Sequence, residues 1–227
     1  MTTSHDVTTK LKTLFDAERT VRRLHGELIH EKGRDDGSAL VTALKSEVAS
    51  SLALPEKEAG EAALRLTRIA VLLGELHGPA AVDTLIDILA CDEPEARHAA
   101  GEALQDVAFD RFKEVALGIE RALERLPVGS PALSELPYML AEVPEPGAMK
   151  LLGLFLKHRD PEAVAAAIEA LVEVGDPSAT TMLAPLEKDA RQVQLDEEDG
   201  AEAPVAIGDL ATEARQLLAE LAAKADR

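Results

Sequence analysis

The chain has 227 residues, of which 46% are hydrophobic and only 2% aromatic, so a core must be built from leucine, valine, isoleucine and alanine. Its formal net charge of −18, from 24 basic and 42 acidic residues, disfavours nonspecific nucleic-acid binding, because that binding depends on lysine and arginine displacing counterions. A single cysteine, Cys91, excludes an internal disulfide, and no apolar run approaches the roughly 20 residues that a membrane helix needs. Because the start, MTTSHDVTTK, has no apolar signal-peptide core, we expect a cytoplasmic protein without a membrane span.

Residues 1–55 are predicted to form an N-terminal helical extension. One long helix is expected over 7–31 and a second over 39–53, separated by the turn sequence GRDDGS. The first helix carries an apolar stripe with the three-four spacing of a coiled coil, formed by Leu14, Ala17, Val21, Leu24 and Leu28. This stripe either docks on the following helices as a cap or pairs with another chain. Residues 1–34 have seven bases and five acids, a balance of +2, whereas the remaining residues have 17 bases and 37 acids, a balance of −20.

The rest of the chain, residues 56–227, repeats a two-helix pattern. Pro79 and Pro146 are 67 residues apart, as are Pro94 and Pro161. Proline suits the first turn of a helix, because the N–H that it lacks would have no partner there. A repeat of about 31–34 residues, each unit made of two helices, explains the spacing. We predict about four to five helix pairs and no strand.

The segment LDEEDGAEAP, close to the C-terminal end, contains five acidic residues and no basic one. We predict a solvated acidic loop over 194–204, inside the last repeat, followed by a final helix near 205–224. The alternative is a segment that attracts a basic partner or a divalent cation.

The stretch DPEAVAAAIEALVEVGDPSATTML, residues 160–183, resembles a HEAT-like repeat of the short kind found in phycobilisome lyase-type proteins. The stretches EPEARHAAGEALQDV and LLGELHGPAAVDTLIDIL are similar to it, so the resemblance covers roughly residues 57–190. It implies an all-α fold, a right-handed α-solenoid in which the second helix of each pair lines a concave surface. Surfaces of that kind usually bind proteins or peptides.

Enzymatic members of this superfamily use residues that the chain lacks. HEAT-like iron hydroxylases carry repeated His-Glu pairs, but here His98 is followed by Ala99, and the sequence His-Glu occurs only at His30-Glu31. HEAT-like DNA glycosylases use a basic face with stacking aromatic residues, whereas this acidic chain has no tryptophan and one tyrosine, Tyr138. Zinc-ligand spacings and a phosphate-binding glycine loop are also absent from the sequence. We therefore predict no catalytic residue, cofactor or metal.

The residues expected to contact a partner lie on the second helices, outside the predicted core. They mix both signs, which suits a protein partner more than a polyanion. They are Asp83, Asp87, Lys113, Arg121, Lys150 and Lys157. The leading expectation is a non-enzymatic adaptor or scaffold that binds another protein through this surface and through the N-terminal helix. The alternatives are a bilin lyase-like subunit or pigment chaperone, and a structural homodimer formed through the helix stripe.

Overall fold

The computed structural model describes residues 4–31, 37–196 and 202–225. These residues form ten α-helices and one β-hairpin, so the prediction of an all-helical fold class is confirmed apart from the hairpin. The helices are α1 Ser4–Glu31, α2 Ser38–Leu52, α3 Ala59–Gly74, α4 Pro79–Leu89, α5 Pro94–Arg125, α6 Pro131–Glu142, α7 Pro146–Phe155, α8 Pro161–Val174, α9 Ala179–Leu183 and α10 Ile207–Ala225. The strands are β1 Gln192–Asp196 and β2 Glu202–Ala206. None of the described helices is both long and apolar enough to cross a membrane.

Five consecutive helices, α4 to α8, each begin with a proline. Four of these prolines are the ones whose spacing predicted the repeat, so the local signal placed the helix starts correctly. Asp160 strengthens one start, because its side chain accepts a hydrogen bond from the backbone N–H of Glu162 at 3.1 Å and so caps α8.

Helix α5 is bent at Arg111, whose φ of −140° and ψ of 49° are not helical. The bend divides the helix into α5N, residues 94–110, and α5C, residues 112–125. The Arg111 guanidinium donates hydrogen bonds to the backbone oxygens of Leu76 at 2.9 Å and Gly74 at 3.2 Å. The bend is thereby tied to the end of α3.

The helices from α3 onwards pack in two rows. The first row contains α3, α5N, α6, α8 and α10, and the second contains α4, α5C, α7 and α9. Small residues allow the close approaches: Gly74 of α3 faces Ala103 of α5N, and Gly118 of α5C lies against Val82 of α4. One continuous apolar core runs from α2 to α10, as expected when each pair buries its faces against its neighbours.

The prediction that the chain contains no strand is wrong. Strands β1 and β2 pair in antiparallel register, with Val193 opposite Val205, and Val193 is buried. The sequence QVQLD does alternate polar and apolar residues with the period of a strand, but the run is only five residues long. Much of the predicted acidic loop at 194–204 therefore belongs to the hairpin, while residues 197–201 lie outside the described residues.

The predicted stripe on α1 is largely uncovered. The exposed fractions are 60% at Leu14, 46% at Leu24 and 38% at Leu28, while Ala17 is exposed and Val21 is half-buried. Helix α1 meets the body near its C-terminal end, where Ile29 packs against the edge of the core. Nearby, His25 Nε2 lies 2.6 Å from Glu75 Oε1. Docking of the whole stripe onto the first repeat is therefore not seen.

Candidate functional site

Two of the residues predicted to contact a partner bind each other instead. Arg121 of α5C donates to both carboxylate oxygens of Asp83 on α4, at 2.7 to 3.1 Å. One turn along, Arg125 donates to Asp87 at 2.5 Å. These pairs link the two helices across the second row, so three of the predicted contact residues have a structural role in joining α4 to α5C.

The three predicted lysines are different, because they remain exposed on the second row. Lys113 lies on α5C, Lys150 on α7 and Lys157 just beyond α7. Within the described part of the chain, none of the three forms an ion pair. Their ammonium groups are thus available to an acidic partner.

A groove that the sequence did not predict lies on the first row, between α5N and α6. Its volume is about 320 Å³. Apolar side chains form its floor, among them Leu104, Leu136 and Met139. Gly101 of α5N also lines it, and the missing side chain at that position leaves room above Leu89. The groove therefore offers a concave apolar surface between two neighbouring helix pairs.

An arginine and a glutamate connect the two walls of the groove. Arg97 Nε of α5N lies 2.9 Å from Glu135 Oε1 of α6. Another nitrogen of Arg97, Nη1, donates to the backbone oxygen of Cys91 at 3.4 Å. Burial raises the pKa of Glu135, and the nearby guanidinium opposes that rise. This carboxylate is therefore partly removed from water, which strengthens its interaction with a nearby cation.

Two further carboxylates complete the rim. Gln105 donates a hydrogen bond to Glu142, which links α5N to α6 a second time. On α5N itself, His98 Nε2 lies 3.4 Å from Glu102 Oε1, and both side chains are largely exposed. Of the residues lining the groove, three are glutamates and one is an arginine, so the rim carries a negative charge at neutral pH.

Tyr138 stands at the lip of the groove and connects it to the next helix pair. It is 40% exposed, and its hydroxyl donates a hydrogen bond to Glu169 of α8. Burial, and then the hydrogen bond to Glu169, raise the pKa of the Tyr138 phenol above its ordinary value. Because the chain has one tyrosine and no tryptophan, this side chain is also a unique optical probe of the groove.

The surface around the groove is acidic along two helices. Helices α6 and α8 together carry five glutamates and no lysine or arginine. Glu135 and Glu142 are seven residues apart, as are Glu162 and Glu169, and seven residues bring a helix back to nearly the same face. The seven-residue spacing of the glutamates can be seen in the sequence, but the sequence does not show that α6 lies beside α5N. That neighbour relation creates the groove.

Other histidine, cysteine and carboxylate side chains form no comparable cluster in the described ranges. No group of three or more histidine, cysteine, aspartate or glutamate residues is placed there to hold a metal ion. Cys91 is buried, and burial raises the pKa of its thiol. A thiol held in its neutral form is a poor nucleophile, which fits a structural role for this residue.

Comparison with known proteins yields structural overlaps with solved chains, among them two engineered proteins. No family model and no curated protein matches the chain. One overlap is with a crystal structure of an engineered protein from the Northeast Structural Genomics Consortium, at 16% identity and a TM-score of 0.36, covering 86% of this chain and 98% of that one. Another engineered protein from the same consortium overlaps at 16% identity and a TM-score of 0.35, covering 87% and 97%. Overlaps this low do not indicate a shared fold.

Proposed function

We propose that the protein is a non-enzymatic HEAT-like adaptor that binds a basic, amphipathic segment of a partner protein in the groove between α5N and α6. The observation that carries the proposal is the combination of an apolar floor with a rim of glutamates. In this proposal the helix pairs form the right-handed solenoid that the sequence resemblance implies. The two-row packing of successive pairs supports that arrangement.

The chemistry of the groove matches lysine and arginine side chains. Their stems are apolar and pack on leucine and methionine, while their charged ends reach the carboxylates at the rim. The volume of about 320 Å³ lies at the small end of ligand sites, which suits a few side chains rather than a large cofactor. A polyanion such as nucleic acid would meet Glu102, Glu135 and Glu142, and the net charge of −18 would repel it further.

Tyrosine fluorescence measures this binding directly. The probe is a helical peptide of lysine and leucine without tyrosine or tryptophan, so Tyr138 supplies the whole signal. We expect a saturable change in emission that weakens as salt is added, because part of the attraction is electrostatic. The same peptide with glutamate in place of lysine should produce no change. No saturable response to the basic peptide would overturn the proposal.

Matched variants locate the site. Glu102→Gln combined with Glu142→Gln removes two rim charges while keeping the side-chain size, and we expect binding to weaken about tenfold, or about 1.4 kcal/mol. The control, Asp209→Asn combined with Glu220→Gln, removes two charges at exposed positions of α10 and should bind as the unmodified protein does. Equal losses in both variants would mean that the net charge attracts the peptide and that the groove does not bind it. If only the rim variant loses binding, capture from a lysate with the unmodified protein and with the rim variant would identify partners that depend on the groove.

A second surface has its own supporting observation, the exposed lysines Lys113, Lys150 and Lys157 on the second row. A partner that binds there would be lost on changing all three to glutamate and kept in the rim variant. Loss in the rim variant alone would support the groove. A coloured species that co-purifies with the protein would instead support the lyase-like alternative.

A further inference from the structure

Helix α1 presents an apolar surface along most of its length. It has 28 residues, which corresponds to a rod of about 42 Å. Six large apolar side chains on it are each more than a third exposed: Val7 46%, Leu11 46%, Leu14 60%, Phe15 53%, Leu24 46% and Leu28 38%. Water contact at so many side chains on one helix is unfavourable, which indicates that another surface covers them.

The charges of α1 show what kind of partner fits. The helix carries five acidic and five basic residues, so it has no net charge with which to select an oppositely charged surface. The ion pairs of its arginines lie within the helix, for example Arg22 with Glu18 at 2.9 Å and Arg23 with Glu27 at 2.6 Å. A neutral helix with internally paired flanks and a three-four apolar stripe is complementary to a copy of itself.

The exposed apolar area is a large part of what a pair of such helices needs. Phe15 lies about 180° around the helix from Leu24, so at most five of the six side chains can share one interface. With roughly half of about 150 Å² each left to cover, these five offer roughly 375 Å² of apolar surface. Two copies would bury roughly 750 Å² of apolar area before the polar flanks are counted, against a lower limit of about 1,000 Å² for a specific interface. The stripe therefore supplies most of the surface that a dimer requires.

The charge of the rest of the protein selects the orientation. The residues after position 34 carry a balance of −20, so two bodies repel each other. A parallel pair would place both bodies at the same end of the helices, whereas an antiparallel pair places them at opposite ends. Because charge repulsion is screened over about 8 Å at physiological salt, a separation on the scale of the helix length removes most of it.

We propose that two copies of this chain associate through an antiparallel pair of α1 helices. The packing layers then follow from the stripe: Leu14 lies against Leu24 of the second copy, and Ala17 lies against Val21 of the second copy. A small residue facing a larger one, and a leucine facing a leucine, keep the two axes at an even distance. No residue of α1 lines the groove, so the dimer contact does not use it.

Molar mass as a function of concentration tests the association. Light scattering after size-exclusion chromatography should give a mass that rises towards twice 24.2 kDa. Leu14→Glu and Leu24→Glu, each made alone, should keep the protein monomeric over the same range, because each buries a charge at a central layer. The control Thr9→Glu changes a residue on another face of the helix and should still dimerise. Circular dichroism checks that each variant is folded.

Cross-linking tests the orientation. In a chain with Cys91→Ala, a cysteine at Thr20 lies near the two-fold axis of the antiparallel pair, whereas a cysteine at Val7 lies near one end. A short bismaleimide should link Thr20→Cys efficiently and leave Val7→Cys unlinked. A mass of 24.2 kDa at all concentrations, a dimer that survives both glutamate variants, or linkage at Val7→Cys equal to that at Thr20→Cys would overturn the proposal.

Discussion

The side chain of Asp160 holds together two successive repeats, and its replacement tests that role. It is 1% exposed. One of its oxygens accepts a hydrogen bond from the backbone N–H of Gly129 at 2.7 Å, and the other accepts from Glu162 N–H at 3.1 Å. The first bond reaches back to the loop before α6, and the second caps α8. One carboxylate thus orders both the start of α8 and the loop that precedes α6.

The expected cost of Asp160→Ala follows from these two bonds. Loss of an N-cap side chain costs about 1 kcal/mol. Loss of a hydrogen bond to a charged acceptor costs about 1.5 to 3 kcal/mol when the donor is left in a partly buried place. We therefore expect the free energy of unfolding to fall by about 2 to 4 kcal/mol. Asp160→Asn keeps one acceptor oxygen and should have a smaller effect.

The chain contains a matched control in the second Asp-Pro sequence. Asp176 also accepts a bond from a backbone N–H two residues later, that of Ser178 at 2.8 Å, but this bond lies within a single exposed turn. Asp176→Ala should therefore cost clearly less than Asp160→Ala. Urea unfolding followed by circular dichroism gives both free energies. Equal losses at the two sites, or a loss below about 0.5 kcal/mol at Asp160, would refute the reasoning.

Two glycines of α5 are expected to respond to alanine in opposite directions. At Gly118 the added carbon would lie 2.4 Å from Val82 Cγ1, so Gly118→Ala should destabilise the protein by about 1 to 3 kcal/mol. At Gly101 the nearest atom to an added carbon is 3.8 Å away, so Gly101→Ala should stabilise the protein by about 0.5 to 1 kcal/mol through helix propensity. Thermal unfolding of both variants measures the two changes, and a change of stability in the same direction for both would contradict this view of the packing. The phenol of Tyr138 should ionise above its ordinary pH range, because its pKa is raised, and Glu169→Gln should lower the midpoint. Ultraviolet absorbance against pH measures this on the unique tyrosine, and an ordinary midpoint would mean that the hydroxyl is freely solvated.

The helices and their starting points could be predicted from local sequence. A proline begins a helix without loss of a hydrogen bond, and an apolar residue every three or four positions defines the buried face. Both signals act within a few residues, so Pro79 and Pro161 mark helix starts in any surroundings. The hairpin had a weaker signal, since five alternating residues in an acidic stretch resemble a loop as much as a strand.

The sequence alone thus determined an acidic, aromatic-poor chain of paired helices with an amphipathic N-terminal helix. The tertiary structure decided which polar faces meet. Arg121 and Asp83 are 38 residues apart in sequence, and Arg97 and Glu135 are also 38 apart, yet the first pair joins α4 to α5C and the second spans the groove. Local propensity contains no information about such contacts, because they depend on how one helix pair is placed on the next. The ion pairs and the acidic groove therefore exist only once the pairs have stacked.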